Sequence, residues 1–218
     1  LIRCFWAFVL SPVPYLTPDE FLYPKVARLY VHGLFSGDLS VFRANAAHPP
    51  LSKLITALFI FLLGSFGFSD IGALRMQGCL FSAFTCIVAY LAGSSVDRRV
   101  GILSWALLSL DPISIRFSIA SLDATSLLFA SLSISTFLRS NAESKRGYLL
   151  SGLFLGLAGL CKYTAYPIVL GTLALILISR KVSSNVALRI PFLVATSLAL
   201  FFLGNPLFWP SWLTGFSG

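Results

Sequence analysis

Long apolar runs separated by short polar breaks dominate this chain. The runs fall at 2–14, 75–95, 100–117, 121–139, 147–161, 163–180 and 187–204. Most approach the roughly 20 residues that a helix needs to cross a bilayer. An eighth run, 50–66, is shorter and follows a Pro-Pro pair. None shows the period-two alternation of barrel strands, and all are rich in Leu, Ala, Ser and Gly. The pattern predicts an all-α polytopic membrane protein with about seven transmembrane helices plus extracytoplasmic juxtamembrane helices.

The polar stretch between the first two long runs has its own organisation. Thr17-Pro18-Asp19-Glu20 is a helix-start signal, with Thr17 as cap, Pro18 in the first turn and Glu20 completing a capping box. Leu22, Val26, Leu29 and Tyr30 then form an apolar stripe, and Lys25, Arg28 and His32 a polar one. That spacing predicts an amphipathic helix lying on the membrane surface. Pro24 is expected to kink it or delay its start, and Gly33, Gly37 and Asp38 to end it.

Composition strengthens the membrane reading. Hydrophobic residues make up 57% of the chain and charged ones 11%, about half the charge of a soluble domain. Mean hydropathy is +0.87. The net charge of +8 does not point to nucleic acid, because the basic residues flank apolar runs instead of forming a stripe interleaved with aromatics. Cys4, Cys79, Cys86 and Cys161 all lie in apolar segments with no Cys-x-x-Cys spacing, and read as small buried hydrophobes. The chain opens at Leu1 inside an apolar run, so 1–218 is expected to be one transmembrane module of a longer protein.

Charge also orients the helices. If 50–66 lies at the interface or re-enters, one side holds nine Lys/Arg and two acids, and the other seven Lys/Arg and six acids. The first is then cytoplasmic. Segment 15–74 becomes one extracytoplasmic loop, and the ionisable groups that do not serve topology gather on the outer face. Charges near hydrocarbon are costly, so clustered ones are functional candidates.

Asp19 is the first. Capping explains Glu20 well and Asp19 only in part. A carboxylate partly desolvated beside a membrane can act as general base on an acceptor hydroxyl. Asp123 opens an apolar helix and is either its cap or a second site acid. With Asp19 it could hold a divalent cation (Mg, Mn or Zn), or it could orient the acceptor. His48 ends the loop as a metal ligand, a phosphate contact or a plain interfacial residue. Lys53, one turn into the next apolar run, either snorkels or binds an anion, and a lipid-linked phosphate is the natural anion at that depth. Arg75, Arg116 and Lys162 are further outer-side cations, and Arg116 is a candidate partner for Asp111. There is no HExxH, GxSxG, GxxxxGK[ST] or GxGxxG motif, so nucleotide-driven transport and common hydrolase chemistry have no support.

The ordered set of these phrases resembles the protein O-mannosyltransferases (the dolichyl-phosphate-mannose-protein mannosyltransferase family). It also resembles the wider GT-C glycosyltransferases, including the aminoarabinose transferases that modify lipid A. Asp19-Glu20 matches the early acidic pair. His48-Pro49-Pro50-Leu51-Ser52-Lys53 matches an HPPLGK phrase, with Ser52 in place of Gly. Arg75, Leu122-Asp123-Ala124, the run from Gly152 through Lys162 and Thr164, and Asn205 to Trp209 follow in family order. Arg116 departs from the pattern, lying seven residues before Asp123 where the family often has five. The resemblance implies an inverting transferase that uses a polyprenyl-phosphate-linked sugar and no nucleotide. Asp19 and Glu20 would be its catalytic acids, and Lys53, Arg75, Lys162 and His48 would contact the donor phosphate. The other partners expected are a hydroxyl-bearing acceptor (protein, lipid or glycan), membrane lipids and further membrane subunits. The active face would be extracytoplasmic or lumenal. A polytopic transporter and a non-catalytic scaffold subunit are the alternatives; no two-halved repeat of broken helices supports the former.

Overall fold

The computed structural model describes residues 18–117, 122–140, 145–179 and 189–209, together with Phe5 and Phe8. The side chains of residues 18, 19, 117, 122 and 179 are outside that description. The expected first span, 2–14, therefore lies almost wholly outside the described residues.

Among the described residues every regular element is helical. In chain order they are α1 (Pro18–Ser36), α2 (Leu51–Gly64), α3 (Asp70–Ser94), α4 (Arg98–Leu110), α5 (Pro112–Phe117), α6 (Leu122–Arg139), α7 (Lys145–Cys161), α8 (Ala165–Ser179) and α9 (Ile190–Gly204). Short 3-10 segments cover Leu39–Asn45 and Pro206–Phe208. The helix α3, with 25 residues, is long and apolar enough to cross a membrane. The others are shorter, and α2, with 14 residues, reaches about 21 Å against a hydrocarbon core of about 30 Å.

Two expectations change. The run 100–117 is not one helix: it breaks at Asp111, because Pro112 has no amide to continue the ladder. Asp111 instead accepts from the Ser114 amide at 2.7 Å, capping α5, and among the described residues no ion pair joins it to Arg116. The amphipathic helix α1 runs unbroken through Pro24, and its buried stripe is shifted from the expected one. Glu20, Tyr23, Val26, Ala27 and Tyr30 are buried, whereas Leu22 and Leu29 are exposed beside Lys25 and Arg28. Gly37, at φ 74°, then reverses the chain. Gly33 lets the 39–45 segment fold back, since a Cβ there would meet Val41 at 2.2 Å.

The bundle is built on small residues. Ser133 and Ser151 each donate to the other's carbonyl at 2.8 Å, joining α6 to α7. Gly152 and Gly156 let α7 lie against Leu193 and Ser197 of α9. Such close backbone approach is how helices associate where lipid removes the hydrophobic drive. The exterior is unlike that of a soluble protein. Phe61, Ile178 and Leu203 are 78%, 76% and 71% exposed, while Gln77, Thr125 and Ser133 are buried. Large apolar side chains facing outward, around an apolar core threaded by buried polar contacts, fit a hydrocarbon surrounding.

Gly152 provides the test of the helix seam. A methyl there would stand 2.4 Å from the Leu193 carbonyl oxygen. Gly152→Ala should cost about 1–3 kcal/mol and lower the thermal midpoint in detergent. Gly171→Ala, in open space, should leave stability unchanged or raise it by up to about 1 kcal/mol.

Candidate functional site

Helix ends carry the polar residues. Lys53 lies in the first turn of α2, Arg75 in the second turn of α3, Asp123 in the first turn of α6, and Lys162 directly after α7. One buried side chain holds three of these helices in register. Gln77 accepts from the Thr56 hydroxyl at 2.7 Å and donates through Nε2 to the Thr125 hydroxyl at 2.9 Å. Thr56 is one turn beyond Lys53, Gln77 two residues beyond Arg75, and Thr125 two beyond Asp123. The Gln77 bridge therefore brings the chemistry-bearing turns of α2, α3 and α6 together.

Glu20 and Arg75, 55 residues apart, form a buried ion pair with Nε–Oε1 at 2.7 Å. It joins the start of α1 to α3. An exposed second tie, Arg28 to both carboxylate oxygens of Asp70 at 2.7 Å, joins the same two helices. Asp19 falls in the first turn of α1, one residue before Glu20; its side chain lies outside the described residues.

Lys53 is fully buried. Its ammonium donates to the His48 carbonyl at 2.7 Å, the Asn45 carbonyl at 3.0 Å and Asn45 Oδ1 at 3.2 Å. Burial pulls it from 10.5 down to about 7, and the three accepting oxygens oppose that pull by favouring the charged form. Tyr30 belongs to the same knot. Its hydroxyl reaches the carbonyls of Phe42 and Asn45 at 3.2 and 3.5 Å, and burial pushes its phenol up to about 12, so it stays a donor. The His48 ring stands edge-on to Tyr23 at 6.1 Å.

Asp123 and Lys162 pair directly. Both line a cavity of about 390 Å³ between α3, the α4–α5 break, α6 and α8, together with Ser82, Thr85, Leu127, Thr164 and Ile168. Its walls are mainly apolar, with the ion pair among them. Both partners keep partial exposure, 36% and 29%. A second cavity, of about 460 Å³, lies beside Arg75 and is walled by Phe8, Phe66 and Phe68.

Gln77 thus links the turns that carry Lys53, Arg75 and Asp123, Lys162 pairs with Asp123, and the His48 carbonyl accepts from Lys53; Asp123 and Lys162 line one cavity and Arg75 another. Gln77, Thr56, Thr125, Asn45 and Tyr30 were not singled out from the sequence. Gln77 had a readable signal, an amide inside an otherwise apolar run. Nothing in the sequence marked the threonines it joins. Among the described residues no three His, Cys, Asp or Glu side chains converge as a metal site would need, and Asp123 is engaged by Lys162. The described residues do not assemble a set for a divalent cation.

A helical bundle with large apolar side chains exposed, buried polar contacts between helices and ion pairs near helix ends fits a membrane-embedded protein. The family model described as dolichyl-phosphate-mannose-protein mannosyltransferase matches residues 47–209, and the chain belongs to that family. No curated protein and no solved structure matches it. Membership supports a glycosyltransferase activity of the mannosyltransferase class and a membrane-embedded enzyme. The match includes His48, Lys53, Arg75, Asp123 and Lys162; Asp19 and Glu20 precede it.

The Glu20–Arg75 pair is directly testable. Arg75→Met removes the ion-pair partner of a buried carboxylate and should cost about 3–5 kcal/mol. Adding Glu20→Gln should recover much of that loss. Thermal unfolding of the single and double variants in detergent measures both effects.

Proposed function

We propose that this chain transfers a sugar, with inversion, from a polyprenyl-phosphate carrier to a hydroxyl acceptor at the non-cytoplasmic face of a membrane. The observation that carries this reading is the mainly apolar cavity with Asp123 and Lys162 among its lining residues. An isoprenoid chain needs apolar walls and its phosphate needs a cation; one cavity offers both. Lys162 is the group best placed to leave its carboxylate partner and meet the phosphate.

The step is a single displacement. Asp19 accepts the proton of the acceptor hydroxyl. The freed oxygen attacks the anomeric carbon, and the bond from that carbon to the phosphate oxygen breaks. The phosphate leaves with the electron pair, and Lys162 neutralises the charge that develops there. Arg75 and His48 donate toward the charge that develops on the leaving phosphate, a contact made in the transition state and not in the resting complex, and Glu20 fixes Arg75. Asp123 holds Lys162 until the donor arrives and then orients the acceptor. The outer placement follows from charge: the nine Lys/Arg at residues 3, 98, 99, 139, 145, 146, 180, 181 and 189 are read as cytoplasmic. Multiple crossings follow, with α2 interfacial.

Reconstitution with a radiolabelled polyprenyl-phosphate mannose and a hydroxyl acceptor tests the reaction. Asp19→Ala should lower kcat at least about 100-fold while the thermal midpoint holds. A variant that folds and keeps its rate removes the base assignment. For the topology, a cysteine placed at position 45 in intact vesicles of known orientation should react with an impermeant thiol reagent from the non-cytoplasmic side. One placed at position 98 should react only from the cytoplasmic side.

A further inference from the structure

We propose that Lys53 is a positioning residue: its ammonium locks the 45–48 turn against α1 and so sets where His48 stands, and its charge is committed to that turn instead of the donor phosphate. The inference rests on the transferase reading above, and it departs from the role that family resemblance suggests for this lysine.

Donor arithmetic supports it. An ammonium has three N–H donors, and three oxygens lie at 2.7, 3.0 and 3.2 Å from Lys53 Nζ. All three belong to Asn45 and His48. The group is 0% exposed, so meeting a phosphate would require giving up one of these acceptors. The 45–48 turn is closed on itself by the His48 amide, which donates to the Asn45 carbonyl at 3.3 Å. Pro49 and Pro50 follow, and neither carries an amide hydrogen that could tie the turn to its neighbours. The ammonium, reaching back from the next helix, makes that tie.

Helix electrostatics point the same way. A cation in the first turn of a helix faces the positive end of the dipole. Lys53 sits there in α2, and the carbonyl cage offsets the cost. Tyr30 completes the lock. Its ring lies 5.3 Å from the ammonium, and its hydroxyl holds Phe42 and Asn45 to α1. The helix that begins with Asp19 and the turn that ends with His48 are thereby fixed to each other.

The test separates binding from turnover in the reconstituted protein. Affinity for free polyprenyl phosphate is read by tryptophan quenching, and kcat by mannose transfer. Lys53→Met should lower kcat about ten-fold or more while the phosphate Kd changes less than about three-fold. Lys162→Met should loosen Kd by about ten-fold or more. A Kd for Lys53→Met weakened beyond that three-fold bound, or an unchanged kcat, overturns the proposal. If Lys53→Met does not fold, Tyr30→Phe takes its place: a lowered kcat at constant Kd supports the lock, and any other result overturns it. If the wild-type chain transfers nothing, the transferase reading fails alone. The lock is then judged by hydrogen exchange of the amides at 45–48, which should quicken about ten-fold in the variant and, if unchanged, would end it.

Discussion

The structure depends on the two hydrogen bonds of Gln77. An amide in the interior of an apolar bundle has no water to fall back on, so it must find partners on other helices. Gln77 finds a hydroxyl on α2 and another on α6. Because the partners are unique in position, they set the axial register of three helices that apolar packing alone would leave free to slide. Each of those helices carries a charged residue within about one turn of the bridge. Register and chemistry are therefore specified by the same contact.

Around that bridge the site is assembled from helix ends, and each end brings its own electrostatic problem. Arg75 is buried and answered by Glu20. Lys53 is buried and answered by the Asn45 and His48 carbonyls. Asp123 and Lys162 are less buried and answer one another at the cavity wall. The two enclosed cations hold elements together: Arg75 joins α3 to α1, and Lys53 joins α2 to the 45–48 turn. The Asp123–Lys162 pair is more exposed than either.

Much of this was legible beforehand. The helices α3, α6, α7, α8 and α9 fall within a few residues of the apolar runs that announced them, because long Leu- and Ala-rich stretches have few alternatives in a bilayer. Asp19, Glu20, His48, Lys53, Arg75, Asp123 and Lys162 stood out for a related reason: a charge amid hydrocarbon is conspicuous. The pairings were not legible. Glu20 reads as a cap until Arg75, 55 residues on, is seen beside it. The stripe on α1 was misplaced by the exposure of Leu22 and Leu29, because apolar residues at a membrane surface face lipid as readily as protein.

The sequence by itself determined that this is a helical membrane protein and which ionisable residues stand out against its apolar runs. It did so because the expense of charge in hydrocarbon is a local property, readable one residue at a time. Only the tertiary structure decided that Lys53 serves a turn, that Arg75 answers Glu20, and that Gln77 binds α2, α3 and α6 together. Those are facts about which distant groups share a low-dielectric interior, and no periodicity along the chain encodes them.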